Sequence, residues 1–193
     1  MSRSHKKEDS RRRLLEAAAN CFSEKGFSAC SVGEIAKRAG MSHGSVYVHF
    51  VDKQSLILTL VENEYQSAIE VFENMRDVAD LDGIFDRLNE CIRSVGFPID
   101  HRLWMNILAE ATRDRALGEL QRRLDRRMRA ALANALLPFA LSGAESKRME
   151  AMTIQIYANI DGLIARQAVD SEFDIEDQLP IFRKQVEQLL RAD

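Results

Sequence analysis

The stretch from Ser31 to Lys53, SVGEIAKRAGMSHGSVYVHFVDK, constrains the fold more than any other part of the chain. Its pattern predicts two short helices joined by a tight turn. Ser31 and Glu34 have the spacing of a capping box, in which hydroxyl and carboxylate satisfy amides at a helix start. Val32, Ile35, Ala36 and Ala39 recur at helical spacing and give the first helix one apolar side. Gly40 stands where a left-handed residue closes a helix, a conformation open to glycine because it lacks Cβ. Ser42 is placed to cap the second helix, and Val46 and Phe50, four residues apart, point it towards the core. Ser42, His43, Gly44, Ser45, Tyr47, Val48 and His49 are left to face outward. A short helix opening on small polar residues suits the major groove of DNA, since its amides favour phosphate and its side chains reach base edges.

Charge adds to this reading once it is divided. The net charge of -3 on the whole 193-residue chain would argue against nucleic acid. Residues 1–53 carry ten Lys/Arg against six Asp/Glu, a net of +4, and residues 54–193 carry 17 against 24, a net of -7. A basic head on an acidic body is expected of a DNA reader with a separate regulatory domain. The polar, basic residues 1–9 read as a disordered tail, as an arm that follows DNA, or as both in turn.

The remaining pattern is helical throughout. A first helix is expected from Ser10 to Lys25, ended by Gly26, with Leu14, Ala17, Ala18, Cys21 and Phe22 inward. Asp52 can cap a long helix from Lys53 to about Asp77 that passes from head to body. Helices follow over Leu81–Ser94, punctuated by Gly96 and Pro98, then Asp100–Arg113, and Arg115–Leu137, closed by Pro138 and Gly143. Two more run over Glu145–Val169 and from an Asp174 cap onward, the last expected to kink or break at Pro180. The fold class is therefore all-α, with about nine helices. Arg122, Arg123, Arg126, Arg127 and Arg129 on the seventh helix suggest a second DNA-binding patch or, the reading preferred here, a solvated face neutralised by Glu119 and Asp125.

The run from Ala39 to Ile57, AGMSHGSVYVHFVDKQSLI, together with LLEAAANCFSEKGF from Leu14 to Phe27, resembles the DNA-binding domain of the TetR family of bacterial transcriptional regulators. The resemblance covers the first third of the chain, with many positions agreeing in register. Gly33 departs from it, standing where many members carry a polar or basic residue on phosphate. The resemblance implies residues 1–53 as a helix-turn-helix domain and residues 54–193 as an effector-binding and dimerisation domain. It implies a homodimeric repressor released from a palindromic operator by an unidentified small molecule. The alternative is a DNA-binding protein without such an effector, architectural or regulated by a partner. Ser31, Ser42, His43, Gly44, Ser45, Tyr47, Val48, His49 and Lys53 are the candidate DNA contacts, with Tyr47, His49 and Lys53 on phosphate.

Neither catalysis nor a cofactor is expected. His5, His43, His49 and His101 show no metal-ligand spacing, no nucleophile sits in a motif, and no phosphate-binding glycine pattern occurs. Glu110 and Asp114 form a helical acid pair beside Arg113 and Arg115, read as surface electrostatics. No apolar run approaches the roughly 20 residues that span a bilayer, and the expected location is cytoplasmic, away from membranes. Cys21, Cys30 and Cys91 are expected as reduced thiols, the first two as small core residues and not as redox sensors, since nothing cationic stands beside them in sequence. Phe72, Trp104, Met105, Leu108, Tyr157 and Asp161 are candidate ligand contacts, plain core being the alternative for each apolar one. Ala151, Ala158, Gly162 and Ala165 form a strip of small residues opposite a wide apolar face. That strip is expected to meet its own copy across a two-fold axis, with Phe182, Val186 and Leu190 completing a four-helix interface.

Overall fold

A computed structural model of the chain describes residues 3–93, 100–140 and 146–191, and there it is helical, with no strand among the described residues. The expected helix boundaries at Ser94, Gly96, Pro98, Gly143 and Glu145 fall outside them. The helices are α1 (Arg3–Ala29), α2 (Val32–Arg38), α3 (His43–Tyr47), α4 (Lys53–Asn74), α5 (Leu81–Arg93), α6 (His101–Ala111), α7 (Arg115–Leu136), α8 (Ser146–Val169) and α9 (Ile175–Arg191). Short 3-10 turns follow α4 and α7.

Two compact units form. One comprises residues 1–64 and 102–121, the other residues 65–101 and 122–193. The first unit therefore extends beyond the sequence division at Lys53, through the first half of α4, and also takes in most of α6. Its core is Leu14, Ala18, Cys21 and Phe22 of α1 with Ile35, Ala36, Val46, Phe50, Leu56 and Leu60, all at most 4 % exposed. At Gly26 the backbone of α1 leaves helical geometry at φ +76, so Gly26 does end the regular part of the helix. Its start differs from expectation. The basic segment is helical from Arg3, with Ser10 Oγ donating to the Lys6 carbonyl and Arg12 paired with Asp9 and Glu16. Such i,i+3 and i,i+4 pairs support a helix that has no apolar stripe.

Cys21 and Cys30 are joined by a disulfide, their Cα atoms 6.0 Å apart, which corrects the expectation of reduced thiols. Sequence separation alone could not reveal that the Gly26 turn brings these two residues face to face. Cys91 is free and buried.

In the second unit α5, α8 and α9 pack on one another around Ile84, Phe85, Leu88, Met152, Ile156, Leu179, Phe182, Val186 and Leu190. Arg93 clasps Glu176 through Nε at 2.5 Å and Nη2 at 2.7 Å, and Arg183 lies over the Phe85 ring. Here another expectation fails. Phe182, Val186 and Leu190 are 2, 1 and 2 % exposed within the single chain, so they are its core and not half of an intersubunit seam. A stripe with three apolar positions per two turns serves either role, and the sequence does not choose between them. The helix also continues through Pro180, which lies near its start and forfeits only one backbone bond. On α7, Arg129 meets Asp125 at 2.9 Å as expected, and Glu119 also meets Arg115 at 2.9 Å.

Candidate nucleic-acid interface

Each helix of the predicted pair is capped as its sequence requires. Ser31 Oγ accepts from the Glu34 amide at 3.2 Å, and Ser42 Oγ from the Ser45 amide at 3.3 Å. The other half of the expected capping box is replaced: the Glu34 carboxylate accepts from Lys25 at 2.6 Å and Arg38 at 3.2 Å. These cations hold it below the usual carboxylate range, the Lys25 hydrogen bond contributing most. Gly40, at φ +66, closes α2, with the Met41 amide bonded back to the Ala36 carbonyl at 2.9 Å. Arg13 then bonds the Ala39 carbonyl, fixing α1 to this turn.

These anchors settle which side of α3 is free. Val46 is 2 % exposed and Phe50 4 %, whereas Tyr47 is 50 % and Val48 68 % exposed. His43 and Gly44 are exposed and Ser45 is half-buried, so the small polar start of α3 forms one open surface with Tyr47 and Val48. The His43 and Tyr47 rings meet edge to face at 5.2 Å. A Cβ at Gly33 would lie 3.5 Å from His43 Cδ2, an ordinary van der Waals contact, so this position has room for a small side chain beside that ring. At Gly44 a Cβ would meet nothing within 4 Å.

The three expected phosphate ligands differ in their surroundings. Tyr47 is open to solvent. His49 is half-buried, and its Nδ1 has no hydrogen-bond partner among the described residues. Burial, followed by Lys7 and Arg11, pushes its imidazole pKa down. The basic N-terminal segment thus lies beside His49, and Arg11 also stands 5.7 Å over the Phe50 ring. Lys53 Nζ donates to the Phe27 carbonyl at 2.5 Å, a contact that sequence reasoning missed. An ammonium has two further donors, so this bond leaves Lys53 able to meet an anion. Two other features were missed. Asp114 caps α7 through the Leu117 amide and accepts from Gln54 Nε2 at 2.8 Å, and Asn106 bonds the end of α1. Long polar pairs of this kind leave no local sequence signal.

The candidate ligand residues fall into both units. Phe72 and Tyr157 lie in the second, ring centroids 5.8 Å apart, with half-buried Asp161 on the same helix as Tyr157. Tyr157 is 5 % exposed and its hydroxyl has no hydrogen-bond partner among the described residues. Burial above all, then Asp125 and Asp161, raises the phenol pKa, keeping it a neutral donor. Trp104, Met105 and Leu108 belong to α6 of the first unit, the tryptophan buried and the other two half-buried. A cleft of about 550 Å³ in the second unit is lined instead by Arg126, Asn134, Leu137 and Met149 among others. On α8, Ala151, Ala158 and Gly162 are exposed and Ala165 is half-buried, beside Ile154 at 49 % exposure.

The profile described as "Bacterial regulatory proteins, tetR family" matches residues 14–60, and that of "BetI-type transcriptional repressor, C-terminal" matches residues 98–191. Together they take in most of the chain. The transcriptional regulator AcrR of Shigella flexneri is 42% identical over 64 residues, 32% of this chain and 30% of that protein. The transcriptional repressor AcnR of Corynebacterium glutamicum is 35% identical over 63 residues, 33% of this chain and 34% of that protein. The chain thus spans about a third of the length of the curated relatives it matches. The fold is shared over nearly the whole length with Salmonella enterica GusR, at TM-score 0.73 and 24% identity, covering 95% of this chain and 96% of that one.

Proposed function

Because this chain belongs to the TetR family of bacterial transcriptional regulators, we propose that it is a DNA-binding repressor, acting as a homodimer on a palindromic operator in the cytoplasm. The observation that carries this reading is the exposed edge of α3. Tyr47 and Val48 stand open at 50 and 68 % while Val46 and Phe50 anchor the helix beneath them. His43, Gly44, Ser45 and Val48 lie nearest the bases, where Val48 can pack on a thymine methyl. Tyr47, His49 and Lys53 hold phosphate, and Ser31 and Ser42 act through their caps.

The α8 strip of Ala151, Ala158, Gly162 and Ala165, with Ile154, supplies the two-fold contact. Exposed small residues let a second helix approach to the short end of the usual 8–10 Å range. A small-molecule effector enters the second unit beside Phe72, Tyr157 and Asp161. The unpartnered Tyr157 hydroxyl supports this, since a buried polar group without a partner is costly until something bonds it. No catalytic role is assigned to any residue.

Selection of bound duplexes from a random library tests the reading. The expected product is a palindrome whose half-sites lie about one helical turn, roughly 34–36 Å, or a multiple apart. Equal affinity for selected and random duplexes would favour an architectural protein instead.

A further inference from the structure

We propose that Cys21 and Cys30 are a reversible oxidation site for hydroperoxides, and that the bond between them sets the operator affinity of the DNA-binding unit. The second half of this proposal rests on the DNA-binding reading above; the first takes from it only the cytoplasmic location.

The two sulfurs occupy a joint. Cys21 lies on α1 a little more than one turn before the break at Gly26, and Cys30 directly precedes Ser31, the cap of α2. The disulfide therefore clasps the kinked end of α1 to the start of the helix pair that presents α3. Other attachments converge on the same ten residues. Asn106 bonds the carbonyls of Phe22 and Ser23, and Lys53 bonds that of Phe27. Both cysteines are fully buried, so the bond is set inside the unit and not on its surface. A disulfide in a reducing cytoplasm is typically transient, which makes a bond at this joint a signal more readily than a permanent staple.

A carboxylate oxygen of Glu34 lies within 4.8 Å of both sulfurs, and the three side chains could be offered to a metal ion. The neighbours argue against that. Glu34 already accepts from two cations, Lys25 and Arg38, and the sulfurs are bonded to each other. Cys91 cannot take part: it is buried elsewhere, in the second unit, with its thiol pKa pushed up to about 12, chiefly by burial.

Cys30 reacts first, because it sits on the non-helical joint and is reached by local opening there. Its thiolate attacks one oxygen of the hydroperoxide, ROOH. The O–O bond breaks, Cys30 becomes a sulfenic acid, and ROH departs with the thiol proton. The Cys21 thiolate then attacks that sulfur, the S–S bond forms, and hydroxide leaves as water with the Cys21 proton. Two electrons pass from the sulfurs to the peroxide, and a dithiol reverses the change by exchange. Closing the joint limits the orientations of α2 and α3, so the oxidised unit meets DNA pre-organised.

The full chain, treated with hydrogen peroxide or with dithiothreitol, tests both halves. Alkylation after denaturation, read by mass, should count one free thiol in the oxidised protein and three in the reduced. The oxidised form should melt about 5–10 °C higher. Affinity for the library-selected duplex should fall roughly fivefold or more on reduction and return with peroxide. Cys30→Ser and, as a second variant, Cys21→Ser should stay at the reduced affinity under peroxide, while Cys91→Ser should respond fully. Three thiols after peroxide would overturn the site, and so would stoichiometric Zn2+ retained by the reduced protein and lost in Cys30→Ser. Thiols that cycle while affinity stays constant would overturn the control of binding. If no duplex is selected in either state, thiol count and melting still judge the site, and that failure belongs to the DNA-binding reading.

Discussion

The side-chain amide of Asn106 donates to the carbonyl of Phe22 at 2.9 Å and reaches that of Ser23 at 3.4 Å, joining α6 to the last regular turn of α1 across 84 residues of sequence. Carbonyls at a helix end lack partners within the helix, so this amide supplies what Gly26 takes away. Asn106→Ala should cost about 1 kcal/mol, since both acceptors are partly shielded from water. A thermal midpoint lowered by about 2–4 °C would be the signature. An unchanged midpoint would mean that water replaces the amide without loss.

Lys53 separates a structural from a DNA-facing role in one variant. Lys53→Met removes the bond to Phe27 and should lower stability by about 1 kcal/mol. If the same ammonium also meets phosphate, the salt dependence of duplex binding should flatten by about 0.9 of a charge. Measuring both in the same preparation tells them apart, because loss of stability alone leaves the salt slope intact.

Acid should destabilise the fold through its histidines. Burial above all lowers the imidazole pKa of His101, opposed by the Cys91 carbonyl 3.4 Å from Nε2 and by Asp100. His49 is lowered too, by burial first and then by Lys7 and Arg11. A histidine with a lowered folded-state pKa binds fewer protons than the unfolded chain just below pH 6.5. Stability is therefore complete above about pH 6.5 and declines as pH falls towards the lowered values. Urea midpoints between pH 7.5 and about 5 should fall accordingly, and His101→Gln should shallow the decline. An unaltered slope in that variant would assign the loss to His49 or to carboxylates.

Gly162→Leu tests assembly with little risk to the subunit. A Cβ at this position meets nothing within 4 Å, so the single chain has room for the larger side chain. Sedimentation should then find monomers of unchanged helicity that bind the duplex weakly. A dimer with intact affinity would remove the α8 strip from the interface.

What the sequence made legible was local. Ser31, Gly40 and Ser42 act within four residues of themselves, and their caps and turn stand as their spacing implied. Burial at helical period likewise marked Val46 and Phe50. Contacts between distant segments were hidden: Lys53 on Phe27, Asn106 on Phe22, and Cys21 on Cys30. Each depends on how α1 turns at Gly26, a geometry that no residue spacing expresses. The role of Phe182, Val186 and Leu190 was misread for a related reason. An apolar stripe says that a helix face is covered, not by which neighbour.

The empty space in front of Gly44 bears on how such a protein diverges. A helix that reads bases normally couples recognition to folding, because each new side chain must also fit its neighbours. At position 44 that coupling is absent: an added group projects into solvent, and leaving glycine would itself favour the helix. On the proposed reading, in which residue 44 lies near the bases, substitutions there rewrite the preferred operator while the subunit folds as before. Lineages descended from this chain could therefore acquire new target genes at this one codon, and a saturation library at residue 44 is a natural place to engineer them.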